Sequence, residues 1–373
     1  MFGHEPRPCR SEADRIVTQD KSVLIVSDRP DRVRLLARAI TTILPCRSVL
    51  GDQSVPAILP VVAVIDLDPR DGVAAAWVVR LLAMHVPCLV LTNASAHIPD
   101  RANPALRVTA ADTPRPTILS LLFSLIDAGE KLRTRHARET AALEGRAHRA
   151  CSVVADLFHA AQTDRPVSSE EADAGTDVIL EAVSEGGIRA WLDVIGRYDE
   201  LLYQHSLSVA GFAAAFGFHL KLPRADRKRL AKAALLHDIG KSKIPLAILN
   251  KPGALTSNEM ATMRTHAAAG ADLLARQEGF DAAMLDVVRH HHEMLDGSGY
   301  PAGLSGDAIP DLVRLVTICD IHSALTERRA YRNPLPHAEA HAIMLGMTGK
   351  LDMPLLRAFQ PIVLQSSHGD ALV

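Results

Sequence analysis

Seven residues in the C-terminal half have the chemistry of a metal centre: His205, His237, Asp238, His266, His291, His292 and Asp320. They lie in the segments YQHSLSV, LLHDIGKSKIP, MRTHAAAG, HHHEMLDGSGYP and RLVTICDIHSALT. Neutral imidazoles and carboxylates are ligands that divalent manganese, iron, cobalt or zinc prefer, and an aspartate can bridge two ions. Seven donors exceed what one tetrahedral ion takes but suit a two-metal centre that splits a phosphate ester. A lone buried histidine is more often a satisfied core residue than a ligand, and His290 and His322 are read as such bystanders. That explanation fails for HDIGK, HHE, DGSGYP and a later aspartate arriving together in one order.

Rigid elements must hold such ligands, and after about residue 170 the chain reads as helices joined by short loops. His205 sits in YDELLYQHSLSVAGFAAAFGF, whose apolar residues recur at helical spacing. His237 and Asp238 close RLAKAALLHDIG, with Gly240 as the expected helix stop. Thr256 and Glu259 have capping-box spacing and are expected to start the helix that carries His266. AAMLDVVRHHHEM reads as a further helix that ends in the glycine-punctuated loop DGSGYP, and LVRLVTICDIHSAL presents Asp320 from another.

The N-terminal third has a different rhythm. SVLIVSD (22–28), VVAVIDLD (61–68) and PCLVLTN (87–93) read as buried parallel strands, with ALRVTA (105–110) as a fourth. Residues 31–44, 72–85 and 116–126 have helical spacing, so the expectation is a doubly wound α/β sheet with functional loops at the strand C-termini. Ile118, Leu122, Leu125, Leu132, Leu143, Val153 and Leu157 then form a four-three seam, interrupted by Gly129, His136, Glu139 and Arg146. It predicts a helical connector and a candidate coiled-coil dimer contact. TDRPVSSEEADAG (163–175) reads as a loop. The domain expectation is a disordered tail over 1–20, an α/β domain over 21–127, the connector over 128–169 and an all-α bundle over 170–373.

Bulk properties narrow the function. The chain has 373 residues, 48% hydrophobic and 23% charged, enough for two real cores. A net charge of -2 argues against general binding to nucleic-acid polymers or membrane surfaces, so any anion site must be local. The five cysteines form no CxxC pair and read as reduced, mostly buried thiols. The first 20 residues lack an apolar stretch, and the run Val61–Leu67 is far below the ~20 residues of a membrane span. A cytoplasmic protein is expected.

The ordered series with GSGYP in its middle resembles the HD-GYP family of cyclic di-GMP phosphodiesterases, over roughly 150 to 180 residues. The resemblance implies two divalent transition-metal ions, iron or manganese foremost. It implies that His205, His237, Asp238 and Asp320 hold one, that His266, His291 and His292 hold the other, and that Asp238 bridges and is catalytic. Lys241, from HDxGK, would offset phosphate charge or protonate the leaving oxygen. Gly297, Gly299, Tyr300 and Pro301 would form the substrate loop, with Tyr300 stacking on guanine, and Arg329 and Arg332 would grip phosphate or guanine edges. The implied reaction is hydrolysis of cyclic di-GMP to linear pGpG or onward to GMP. Two alternatives stand beside it: a catalytically weak module that binds the dinucleotide, and a hydrolase of another cyclic dinucleotide. Three positions depart from the family pattern. Ser323 replaces an aspartate, Leu201 stands where some members have a third-metal glutamate, and LDM (351–353) replaces FDP.

The N-terminal third resembles the receiver domain of response regulators, with Asp28 in the acidic pocket, Asp66 at the phosphoacceptor position and Thr92 at the switch hydroxyl. Ser27 replaces a second acid and Thr113 replaces the lysine before Pro114. These losses favour a pseudo-receiver used for dimerisation or contacts with signalling proteins, with Asp66 only a candidate phosphoacceptor.

Overall fold

The computed structural model describes residues 20–367 except 69, 71, 93–97, 99–101, 199–200 and 328–332. The chain divides between Thr140 and Ala141 into two compact units.

In the first unit β1 (Val23–Val26), α1 (Pro30–Ile40), β2 (Cys46–Val49), β3 (Val62–Ile65), α2 (Val73–Ala83), β4 (Cys88–Leu91) and β5 (Leu106–Thr109) follow in order. All pairings are parallel and the sheet order is β2-β1-β3-β4-β5. Every residue of β1, β3 and β4 is buried, because helices cover both faces. Alternation sends Leu24, Val26, Ala63 and Ile65 toward Trp77 and Leu81 of α2. It sends Val23, Ile25, Val62 and Val64 toward Leu36 and Ile40 of α1 and toward Ile118, Leu122 and Leu125. The strand expectations hold, but β2 was not among them. Its sequence CRSV is polar and only partly buried at the sheet edge, so it lacks the continuous apolar run that marks the others.

Ile118, Leu122 and Leu125 belong to α3 (Arg115–Gln162), a single 48-residue helix that takes in both the last helix of the α/β unit and the expected connector. Leu143 and Leu157 of the same helix are buried in the helical core. Ile118, Leu122 and Leu125 of the seam therefore serve one core, and Leu143, Val153 and Leu157 serve another. Apolar residues at four-three spacing suit docking on a sheet or a bundle as well as on a partner helix. The expected loop 163–175 is shorter than read, because Ser168 caps Glu171 N and α4 (Ser169–Ile195) starts there.

The second unit continues with α5 (Leu201–His219), α6 (Arg224–Leu236), α7 (Leu246–Leu249), α8 (Ser257–Arg264), α9 (His266–Leu274), α10 (Ala282–His290), α11 (Asp311–Thr326), α12 (His337–Leu345) and α13 (Met353–Ser367). Its core is continuous from Leu143 to Val363 and includes Trp191, Phe212, Phe216 and Phe359. Among the described residues no helix is long and apolar enough to cross a membrane. Cys88, Cys151 and Cys319 are buried and Cys46 is half-buried, none of them in a disulfide.

Gly240 does not act as the expected helix stop. Helix α6 has already ended at Leu236, and Gly240 lies in a 3-10 turn over Ile239–Lys243. A Cβ there would come within 2.0 Å of the His266 carbonyl oxygen and 2.5 Å of Gly270 N. Glycine is needed for that approach, which draws the His237–Asp238 turn against the start of α9.

Candidate metal centre

Five elements converge on one point. His205 comes from the second turn of α5, His237 and Asp238 from the turn after α6, His266 from the first residue of α9, and Asp320 from the middle of α11. The capping box at Thr256 and Glu259 starts α8, and His266 begins the next helix after Thr265. His291 and His292 lie just beyond α10, which Asp281 caps and which ends at His290. The seven expected ligands are brought together in three overlapping groups: Asp238 with His266, His291 and His292; His205 with His237 and Asp238; and His237 with His291 and Asp320.

The Asp238 carboxylate stands between two sets of imidazoles. Its Oδ2 is 3.5 Å from His205 Nε2 and 3.3 Å from His237 Nε2. Its Oδ1 is 3.2 Å from His266 Nε2 and 3.8 Å from His291 Nε2. Asp320 places Oδ1 3.1 Å from His205 Nε2 and Oδ2 3.9 Å from His292 Nδ1. Asp320 thus faces a histidine from each set as well.

The outer nitrogens decide what the inner ones offer. His237 Nδ1 donates to Ala234 O and His266 Nδ1 to Met263 O, each at 2.7 Å, while His291 Nδ1 donates to Val288 O at 3.0 Å. A carbonyl can only accept, so in each neutral ring the proton sits on Nδ1 and the Nε2 lone pair points inward. His266 Nε2 and His291 Nε2 consequently face each other as two acceptors at 3.4 Å. The buried His237 Nε2 and Asp238 Oδ1 have no hydrogen-bond partner of sound geometry. Converging lone pairs and orphaned buried acceptors fit divalent cations.

Charge is unevenly distributed across the centre. Burial opposes ionisation of Asp238, but Lys241 and His237 outweigh it and hold the carboxyl well below its ordinary 3.8. Burial likewise opposes the charge on Asp320, yet hydrogen bonding and attraction to His205 keep its pKa low. Burial would lower His205, but Glu327 and Asp320 override it and raise the imidazole to about 10. Burial dominates on the other side and holds His292 at about 4. It pushes His291 well below 6.5, helped by the neighbouring His292.

Lys241 is ion-paired to Asp238 Oδ2 at the edge of the centre. The Tyr300 ring packs on His292 with centroids 4.6 Å apart, and the Arg264 guanidinium lies 5.0 Å from its centre. The glycines of the loop before Tyr300 are structurally required: Gly297 has φ 76°, and a Cβ on Gly299 would sit 2.4 Å from Glu293 Cα. Pro301 follows Tyr300 in the same turn. Arg329 and Arg332 lie outside the described residues. His290 points elsewhere, with Nδ1 3.6 Å from Glu293 Oε1. His322 is a core residue packed edge-on against Phe212 and Phe359, its Nε2 3.1 Å from His337 Nδ1.

Three contributors were not singled out from the sequence. Glu293, inside the quoted HHE, is buried and accepts hydrogen bonds from Ala302 N, Gly303 N and Leu304 N at 2.6, 3.1 and 3.0 Å, fixing the loop's exit. Arg264, two residues before His266, covers Tyr300. Glu327 Oε1 accepts from His205 Nδ1 at 2.6 Å and from Ser323 Oγ at 2.6 Å.

In the α/β unit Asp66 is fully buried directly after β3. Arg32 Nε lies 3.2 Å from its Oδ2, Arg29 reaches its Oδ1 at 3.5 Å, and Ser27 Oγ donates at 3.3 Å. Arg32 also donates to the Ala111 carbonyl at 2.7 Å. Asp28 turns instead to Gly51 N at 2.7 Å. Thr113 Oγ1 bonds Ala110 O at 2.6 Å, and Thr92 N donates to Thr109 O.

Residues 190–355 match the HD domain family. The chain is similar to a cyclic di-GMP phosphodiesterase of Pseudomonas aeruginosa, with 36% identity over 57% of this chain and 51% of that protein. It is similar to the cyclic di-GMP phosphodiesterase response regulator RpfG of Xanthomonas campestris, with 39% identity over 39% of this chain and 38% of the relative. A 3'3'-cGAMP-specific phosphodiesterase of Vibrio cholerae is 41% identical over 45% of this chain and 35% of its own. The chain thus spans about half or less of the length of these relatives. An HDG"Y"P protein from Bdellovibrio bacteriovorus has a related fold, with TM-score 0.50 and 18% identity over 64% of this chain and 81% of that one.

Proposed function

We propose that this chain, whose residues 190–355 match the HD domain family, is a metal-dependent phosphodiesterase that opens cyclic di-GMP to linear pGpG. The observation that carries the reading is the Asp238 carboxylate, with one oxygen facing His205 and His237 and the other facing His266 and His291. His205, His237, Asp238 and Asp320 would hold one divalent ion, and His266, His291 and His292 with Asp238 a second. Such ions, when bound, supply a hydroxide at neutral pH and neutralise charge on phosphate oxygens. The protein's own groups do the positioning. Lys241, beside Asp238, places a cation where a phosphate would approach. Glu293 fixes the loop that carries Tyr300 and Pro301, and Tyr300 with Arg264 forms an aromatic and cationic wall next to His292. Relatives named for cyclic di-GMP and for 3'3'-cGAMP support a purine cyclic dinucleotide as the substrate class.

The α/β unit is proposed as a pseudo-receiver that contacts proteins without carrying a phosphoryl group. Its support is Asp66, whose carboxylate is already engaged by Arg29 and Arg32.

The test is protein purified without chelator, supplied with manganese or iron, and assayed by chromatography on cyclic di-GMP and 3'3'-cGAMP. Two ions per chain and conversion of cyclic di-GMP to pGpG are expected. Two ions with no turnover of either substrate would leave a binding module, and preferential turnover of 3'3'-cGAMP would reassign the substrate.

A further inference from the structure

Three of the ligand histidines solve the same problem in one way. His237 caps α6, His291 caps α10, and His266 follows the last turn of α8. The last four carbonyls of a helix have no partner within it, so each ring finds an acceptor three residues back. Ala234 O, Val288 O and Met263 O are those acceptors. His205 cannot do this. It lies within α5, where the carbonyls of the preceding turn are engaged by the helix itself. An acceptor for its Nδ1 must come from another element.

We propose that Glu327 is that acceptor and acts as a positioning residue for the metal centre, with Ser323 holding it in place. The proposal deepens the two-metal reading above and rests on it. Glu327 caps α11, donates its backbone N to Ser323 O at 2.9 Å, and folds its side chain back over the helix end. Its Oε1 takes both the Ser323 hydroxyl and His205 Nδ1, across 122 residues of sequence. The carboxylate fixes the His205 tautomer, turns Nε2 toward Asp238 and Asp320, and makes the imidazole a stronger ligand. Ser323, the position that departs from the family's aspartate, does not leave His205 without a carboxylate. A short hydroxyl at residue 323 and a longer acid one turn later share the work.

The experiment is calorimetric titration of metal-stripped full-length protein with Mn2+, for wild type, Glu327→Ala, Glu327→Gln and Ser323→Ala, with ions counted by elemental analysis. Glu327→Ala is expected to weaken one of the two ions about 10- to 100-fold and leave the other unchanged. Glu327→Gln keeps an acceptor oxygen and is expected to recover much of that loss. Ser323→Ala should fall between Glu327→Gln and wild type. Equal two-ion binding by Glu327→Ala and wild type would overturn the proposal, as would a Gln variant no better than Ala. The readout is independent of catalysis: loss of one ion in Glu327→Ala, alongside a wild type that hydrolyses no cyclic dinucleotide, would sink the functional reading and leave Glu327's role intact.

Discussion

Asp66 in the α/β unit and Asp238 in the helical unit are both buried carboxylates just beyond the end of a regular element, at 0% and 1% exposure. Their partners make them different groups. Asp66 is met by the guanidinium groups of two arginines, so its charge is compensated within the protein. Asp238 has Lys241 at Oδ2, but its Oδ1 faces imidazoles whose protons are committed to backbone carbonyls. A carboxylate met on both oxygens by fixed cations needs no further counter-charge. One surrounded by inward-pointing lone pairs still requires a cation.

The largest expected effect separates the two directly. Asp238→Asn should lower phosphodiesterase turnover by at least about 1000-fold, because a neutral amide cannot serve both imidazole sets. Elemental analysis should show ions lost with it; full turnover with two ions retained would abolish the contrast. Glu293→Gln comes next. Replacing a carboxylate that takes three backbone N–H groups should cost the loop roughly 2 kcal/mol and raise KM for cyclic di-GMP by roughly tenfold, with a smaller change in kcat. An unchanged KM would remove the loop from substrate binding.

Asp66→Asn should be milder. Asparagine keeps an acceptor oxygen for Arg32, and Arg29, 58% exposed, can turn to water, so the cost should be about 1 to 2 kcal/mol in chemical denaturation, with phosphodiesterase rate unaltered. A phosphoryl adduct on Asp66 after treatment with acetyl phosphate, accompanied by a rate change, would place this carboxylate with the chemically open kind.

The smallest effect concerns a third carboxylate, Glu259, which lies at the surface and completes the cap of α8. The Lys251 ammonium and the Thr256 backbone lower its pKa from 4.5 to about 2. A folded-state value below the unfolded one stabilises the charged form. The contribution is complete above the unfolded value and is lost as pH falls through the folded one. Wild type should therefore melt slightly above Glu259→Gln near pH 6, and the difference should shrink as pH falls from 4.5 toward about 2. A constant difference across that range would mean the cap does not depend on charge.

Legibility followed physical locality. The strands β1, β3 and β4 were readable because burial on both faces demands uninterrupted apolar residues, whereas the edge strand β2 carries Arg47 and Ser48 and gives no such signal. The candidate ligand set was readable because HDIGK, HHE and DGSGYP are unusual local motifs, and the resemblance they carry points on to His205, His266 and Asp320. Glu327 was not, since its partner His205 is distant in sequence and the contact exists only once α5 and α11 pack. Gly240 was noticed for the wrong reason: a glycine after a helical run suggests a stop, while its real constraint is main chain on main chain with Gly270.

That contact has a consequence for how the centre can change over time. A Cβ on Gly270 would stand 2.9 Å from Gly240 N and 3.0 Å from Val288 Cγ1, so two bare α-carbons set the spacing between the His237–Asp238 turn and His266. Core side chains elsewhere can drift among residues of similar volume without altering that spacing. One added methyl at either glycine would change it. The gauge of the centre is written in backbone.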